Sequence, residues 1–135
     1  MNKLLIGTLI VFVTLLAVAS CDEAYFGFKT HANEHEFVFK LTDVKKIEHA
    51  RKILSGDEKN EVHVLGRFKK TKKDYNPHYN FHLEPENTSF FEMAIEVCDA
   101  SLEYTEEHLD EACGAFLPGC MYCPWSSKLT REVKV

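Results

Sequence analysis

A run of apolar residues from Leu4 to Ala19, introduced by Asn2-Lys3 and closed by small residues ahead of Cys21, decides where this chain folds and how much of it does. A positive start, an apolar stretch and small residues are the parts of a secretory signal. The run also falls short of the ~20 residues that a bilayer-spanning helix needs. Residues 1–20 are expected to be a signal peptide and residues 21–135 a single exported domain. Two cleavages compete. Ala17-Val18-Ala19 suits an ordinary signal peptidase and leaves a soluble, secreted chain. Val18-Ala19-Ser20-Cys21 equally reads as a lipoprotein box in a bacterial source, with Cys21 acylated and the domain held at the cell surface. Acyl anchoring rests on about 0.8 kcal/mol per buried methylene. Either route makes the domain extracytoplasmic.

Export to an oxidising compartment makes disulfides expected. The chain has five cysteines, Cys21, Cys98, Cys113, Cys120 and Cys123. Setting Cys21 apart, by lipidation or cleavage, leaves four to form two bridges, and spacing leaves all three pairings open. The exported part is long enough for one core and too short for two. Ten Phe, five Tyr and one Trp supply that core with large apolar surfaces. A net charge of −5 with both signs interspersed gives solubility and no general attraction for nucleic acid.

Periodicity predicts strands over Ala24–Lys29 and Phe37–Leu41, the second with Phe37, Phe39 and Leu41 inward. Asp43 then caps a helix whose apolar stripe is Val44, Ile47, Ala50 and Leu54, and Gly56 ends it in a left-handed cap. Val62, Val64, Gly66 and Phe68 mark one face of a third strand. Tyr79, Phe81 and Leu83 mark a fourth, paired back as a hairpin with a long basic tip and a turn at Asp74-Tyr75-Asn76-Pro77. Ser89 to Val97 fits a helix or a strand, and strand is preferred, with Phe91, Met93, Ile95 and Val97 inward. An acidic helix follows from Ser101 to Ala112, then a cysteine-rich loop from Gly114 to Pro124 and a last strand through Leu129 and Val133. The fold class is α+β: a mostly antiparallel sheet with two helices on one face, stapled by disulfides.

Several segments, in order, carry a resemblance: Glu36-Phe37-Val38-Phe39-Lys40-Leu41-Thr42-Asp43, Lys46-Ile47-Glu48-His49-Ala50-Arg51, His63-Val64-Leu65-Gly66-Arg67, Tyr75-Asn76-Pro77 and Phe81-His82-Leu83. Ile95-Glu96-Val97-Cys98-Asp99-Ala100, Ala115-Phe116-Leu117-Pro118-Gly119-Cys120 and Cys123-Pro124-Trp125-Ser126-Ser127 complete the set. Together they resemble the amino-terminal domain of a slime-mould calmodulin-binding protein, a domain also found in small exported proteins. The resemblance implies no established chemistry. It implies a pairing of Cys98 with Cys123, leaving Cys113 and Cys120 to close a short loop. Calmodulin is a partner by resemblance alone, and it conflicts with export and with the absence of a basic amphipathic helix.

Four constellations could carry chemistry. Arg67, Lys69, Lys70, Lys72 and Lys73 crowd the hairpin tip, where they suit anionic lipid, acidic glycan or an acidic protein, or simply discourage edge aggregation. His78, His82 and Glu84 alternate along one strand face, and His63 would join them across the hairpin to hold zinc or copper if the register allows. Cys120 and Cys123 have dithiol spacing, read here as structural cysteines before redox ones. Asn87-Thr88-Ser89 is a glycosylation sequon for a eukaryotic host. The expectation is an exported or surface-anchored binding domain contacting a protein, a glycan or an anionic membrane, without nucleic acid and without a cofactor. The alternative is an enzyme using a divalent metal at the His face or the Cys120 and Cys123 thiols.

Overall fold

The computed structural model describes residues 22–31, 33–94 and 96–135. The proposed signal peptide and Cys21 lie outside the described residues.

Two antiparallel sheets enclose an aromatic core. In the first, β1 (Ala24–Lys29) lies between β2 (Phe37–Leu41) and the carboxy-terminal β9 (Lys128–Val133). Phe26 pairs with Phe39 and Phe28 with Phe37, so four rings enter the core from two neighbouring strands, all fully buried. A bulge between Gly27 and Phe28 shifts the register against β9. Gly27 leaves room for the Glu36 side chain, which a Cβ there would overlap.

Between the sheets in sequence runs α1 (Val44–Ser55). Asp43 accepts the Lys45 and Lys46 N–H groups at 2.8 and 3.3 Å, satisfying amides that open every helix. Gly56, at φ 87°, closes α1 in the left-handed conformation that glycine adopts without steric cost. Ile47 and Ala50 are buried as expected, whereas Val44 stays exposed at the first turn.

The second sheet is organised around β3 (His63–Lys69), which pairs antiparallel with three short strands along its length. These are β5 (Ser89–Phe91) at its start, β8 (Met121–Tyr122) at its middle and β4 (His82–Leu83) at its end. A 3₁₀ turn, Pro85–Asn87, links β4 to β5. Phe81 lies just before β4 and meets Phe37, Phe68 and Tyr122 with ring centroids 5.1, 5.4 and 6.0 Å away, joining the two sheets. The hairpin exists as expected, but only His82 and Leu83 pair as strand. Tyr79 and Phe81 are buried within the tip itself.

Two elements depart from the expectation. The strand expected over Ser89–Val97 spans only Ser89–Phe91: Met93 and Val97 are exposed, and Glu96–Cys98 forms a 3₁₀ turn. Phe91 packs against Trp125 and His63, while the chain turns away to bring Cys98 to Cys123. The acidic helix is also short. α2 spans Leu102–Glu107, capped by Ser101, and its buried residues are Leu102 and Thr105. Glu106, Glu107, Asp110 and Glu111 crowd the end where a helix carries partial negative charge, which opposes further turns. The chain then forms turns into the parallel pair β6 (Ala112–Cys113) and β7 (Phe116–Pro118). The fold is thus α+β and mostly antiparallel, and the described residues hold two α-helices and two disulfides, Cys98–Cys123 and Cys113–Cys120.

Candidate functional site

The cationic tip is built from β3 outward. Alternation sends Val64, Gly66 and Phe68 into the core, which leaves Arg67 and Lys69 on the solvent side. Beyond the strand, Lys70, Lys72 and Lys73 are exposed, and Lys73 forms an isolated bridge with Asn76. The tip is folded back by Asn76, which is fully buried. Its Oδ1 accepts the Val38 N–H at 2.8 Å, and its Nδ2 donates to the Phe81 carbonyl at 3.0 Å. One side chain therefore joins β2, the turn and the approach to β4.

This folding brings cations from distant parts of the chain to one hollow of about 390 Å³, within the range of ligand pockets. Lys69 comes from β3, Lys73 from the tip and Lys40 from β2, with Thr71, His82 and Tyr75 between them. Glu84, Pro85 and Glu86 complete the rim. Lys40 Nζ lies 3.0 Å from Glu23, whose hydrogen bond raises the lysine pKa, and 5.8 Å from the Tyr25 ring. Tyr25 in turn backs Tyr75 at 5.1 Å. The His82 Nδ1–H donates to the Thr71 carbonyl at 2.8 Å, which ties the ring to the turn. Glu84 sits among the cations, 3.4 Å from Lys69 Nζ and 4.0 Å from Arg67 Nε. Hydrogen bonds from Asn87, then Lys69, hold its carboxyl below the usual range.

A second hollow, about 420 Å³, shares Lys69, Thr71 and Glu84 with the first and adds Arg67, Lys70 and the Cys113–Cys120 bridge. A third, about 450 Å³, lies by Lys29, His35, His78 and Arg131. Its arginine is already engaged, since Arg131 Nη2 donates to Glu36 Oε1 at 2.9 Å.

The His cluster is not assembled. His63 pairs with Phe91 at the start of β3, whereas His82 pairs with Lys69 at its end, about 20 Å of strand away. The His63 ring is buried and bonds the Ser127 carbonyl through Nδ1 at 2.9 Å. His78 stacks on His35 at 4.2 Å, and only His82 and Glu84 share the cationic hollow. Among the described residues no group of three or more His, Cys, Asp or Glu could hold a metal ion. The dithiol spacing is likewise undone, because Cys120 is bonded to Cys113 and Cys123 to Cys98. Trp125 packs against Phe91 and His63 beside the Cys98–Cys123 bridge. Asn87 of the sequon is exposed, and its amide donates to Glu84 at 2.6 Å.

Glu106 accepts from the backbone and side-chain amides of Asn80 at 2.7 and 2.9 Å, and the carboxylate beside Arg67 and Lys69 is Glu84. Lys40, Tyr75 and Asn76 escaped the sequence reading as site residues. The one local signal was the Asn76-Pro77 turn.

No curated protein and no solved structure matches this chain. The family model for the BP-74 N-terminal domain matches residues 22–135, and the chain belongs to that family.

Proposed function

We propose that this chain is an exported or surface-anchored domain that binds an anionic ligand through the hollow framed by Lys40, Lys69, Lys73 and His82. The observation that carries the reading is the convergence of three lysines from β2, β3 and the tip on one concave surface. Like charges gathered there repel one another, and a bound anion relieves that repulsion. Lys40 and Lys69 each have one carboxylate partner, and among the described residues no ion pair engages Lys73. The lining thus sets three lysines against two carboxylates, Glu84 and Glu86, and leaves the Lys73 ammonium open to a ligand.

The test is a titration with inorganic sulfate and phosphate, followed by amide and side-chain chemical shifts in the intact disulfide-bonded protein. Shifts centred on Lys69–Lys73 and His82, weakened by added sodium chloride and lost in Lys69→Gln/Lys73→Gln, are the expected result. Shifts elsewhere, or none, overturn the reading.

Export belongs to the same proposal. Two disulfides support an oxidising, extracytoplasmic compartment, and the order of residues 1–21 supports a removed signal. Intact mass from the native host, before and after reduction and alkylation, tests it. Loss of the first twenty residues with two bridges is expected, and a lipid increment at Cys21 would mark the anchored form. An unprocessed chain with alkylatable thiols refutes export.

A further inference from the structure

We infer that the ligand is an acidic polysaccharide, a chain of uronate or sulfated sugars lying along a trough on both sides of Glu84; this rests on the anion reading above and narrows it. The first observation is continuity. The two hollows, about 390 and 420 Å³, share Lys69, Thr71 and Glu84, so they adjoin at the Lys69–Glu84 pair. Lys40 and Lys73 stand on one side of that pair, and Lys70 on the other. A single inorganic anion would fill a small part of either hollow and reach few of these cations. A polymer with charge repeated along its length meets them all.

The second observation is the acid within the trough. Glu84 and Glu86 line the first hollow together with its lysines. A surface dense in phosphate, such as nucleic acid or a sheet of anionic headgroups, would press charge against these carboxylates. A saccharide places hydroxyl donors between its acidic groups, and carboxylates accept from them. The Tyr75 ring and Pro85 add an apolar wall against which the C–H face of a sugar can lie, and Tyr75 is backed by Tyr25.

A membrane is disfavoured for a third reason. Among the described residues the exposed large apolar side chains are Val44, Met93, Val97, Tyr104 and Val135, and none lies on the hairpin. The tip has no wedge to enter a bilayer, which peripheral binding usually adds to charge. The trough is also held in place before any ligand arrives. The Phe68 N–H donates to the Cys120 carbonyl at 2.8 Å, tying β3 to the disulfide loop, and Asn76 fixes the tip. Such pre-organisation lowers the entropy lost on binding.

The test uses calorimetry on the mature, disulfide-bonded protein with five probes: a uronate hexasaccharide, a sulfated hexasaccharide of matched charge, the corresponding charged disaccharide, inorganic sulfate, and vesicles containing phosphatidylserine. A hexasaccharide should bind at least about tenfold more tightly than the disaccharide or sulfate, and binding should weaken with salt. Whichever hexasaccharide binds better identifies the acid. Lys70→Gln and Lys73→Gln, on opposite sides of Glu84, should each weaken hexasaccharide binding about threefold, while Lys45→Gln on α1 leaves it unchanged. Sulfate bound as tightly as the hexasaccharides would overturn the extended trough and leave the anion reading standing. Vesicle binding without saccharide binding would overturn the saccharide class alone. Silence from all five probes would overturn both.

Discussion

Replacing Asn76 with alanine removes a side chain that hydrogen-bonds β2 to the hairpin tip. The residue is fully buried, so water does not substitute for what is lost. The Val38 N–H would lose its acceptor at 2.8 Å and the Phe81 carbonyl its donor at 3.0 Å. A buried polar group left unpaired costs about 1–3 kcal/mol, so two orphans imply a loss of about 2–6 kcal/mol. Against a total stability on the order of 5–15 kcal/mol, that is a large fraction. Denaturant unfolding of the disulfide-intact protein measures it, with an unchanged slope showing that the same surface is exposed. Asn76→Asp separates the two bonds. A carboxylate still accepts from Val38 but cannot donate to Phe81, and it places a charge beside a carbonyl. Protonation restores a donor, so this variant should recover relative to the parent as pH falls. A loss below about 1 kcal/mol in Asn76→Ala, or no acid recovery in Asn76→Asp, would refute the account of Asn76 as the organiser of the tip.

Glu36 carries a pH signature of its own. Burial pushes its carboxyl up, but hydrogen bonds from Arg131 and Thr130 outweigh this and hold its pKa below the ordinary value of 4.5. Its contribution is therefore fully present above 4.5 and lost as pH falls through the lower folded value. Glu36→Gln should flatten that acid limb of a stability–pH curve, and an unchanged limb would count against the pairing. Burial pushes the Tyr79 hydroxyl up to about 12, so the unfolded chain ionises first and stability falls as pH rises from 10 towards 12. Tyr79→Phe should lessen that alkaline loss, while removing the 2.6 Å bond to the His35 carbonyl. Loop-closure entropy ranks the staples. Opening Cys98–Cys123, which spans 25 residues, should cost about 3–4 kcal/mol, and opening Cys113–Cys120, which spans 7, about 2. Paired Cys→Ala variants compared by denaturant unfolding check the order, and a reversal would show that the loop model is not the governing term.

What was legible in the sequence was whatever local chemistry decides. Asp43 and Gly56 bracket α1 because capping depends on groups within a turn of each end. The inward set Tyr79, Phe81 and Leu83 was also readable, even though only Leu83 of the three pairs as strand. Alternation reports which way side chains point, not whether a neighbour completes the ladder. The same limit misled the reading of residues 89–97. Met93 and Val97 continue the alternation of Phe91 into solvent, because the chain turns there to bring Cys98 to Cys123. The His positions failed on register. Facing His63 across a hairpin presumed one partner for all of β3, whereas β5, β8 and β4 divide its length. Lys40 and Tyr75 join the basic hollow only through tertiary folding, for which no spacing rule exists.

The covalent and noncovalent restraints on β3 divide the same way. Both bridges lie between Cys98 and Cys123, and the strand they reinforce, β8, pairs with Gly66 and Arg67 at the middle of β3. Beyond Lys69 the tip has no covalent tie. Its order depends on Asn76, on the Tyr79 hydroxyl bond to His35 and on Glu106 holding Asn80. Reduction should therefore loosen the Cys113–Cys120 side of the trough, where Arg67 and Lys70 stand, before it disturbs Lys73 and Lys40. Loss of Asn76 should act in the opposite order. In a double variant the two effects should add to within about 0.5 kcal/mol, as separated sites do. Strong coupling between them would mean instead that the tip and the staple form one cooperative unit, and that the trough opens and closes as a whole.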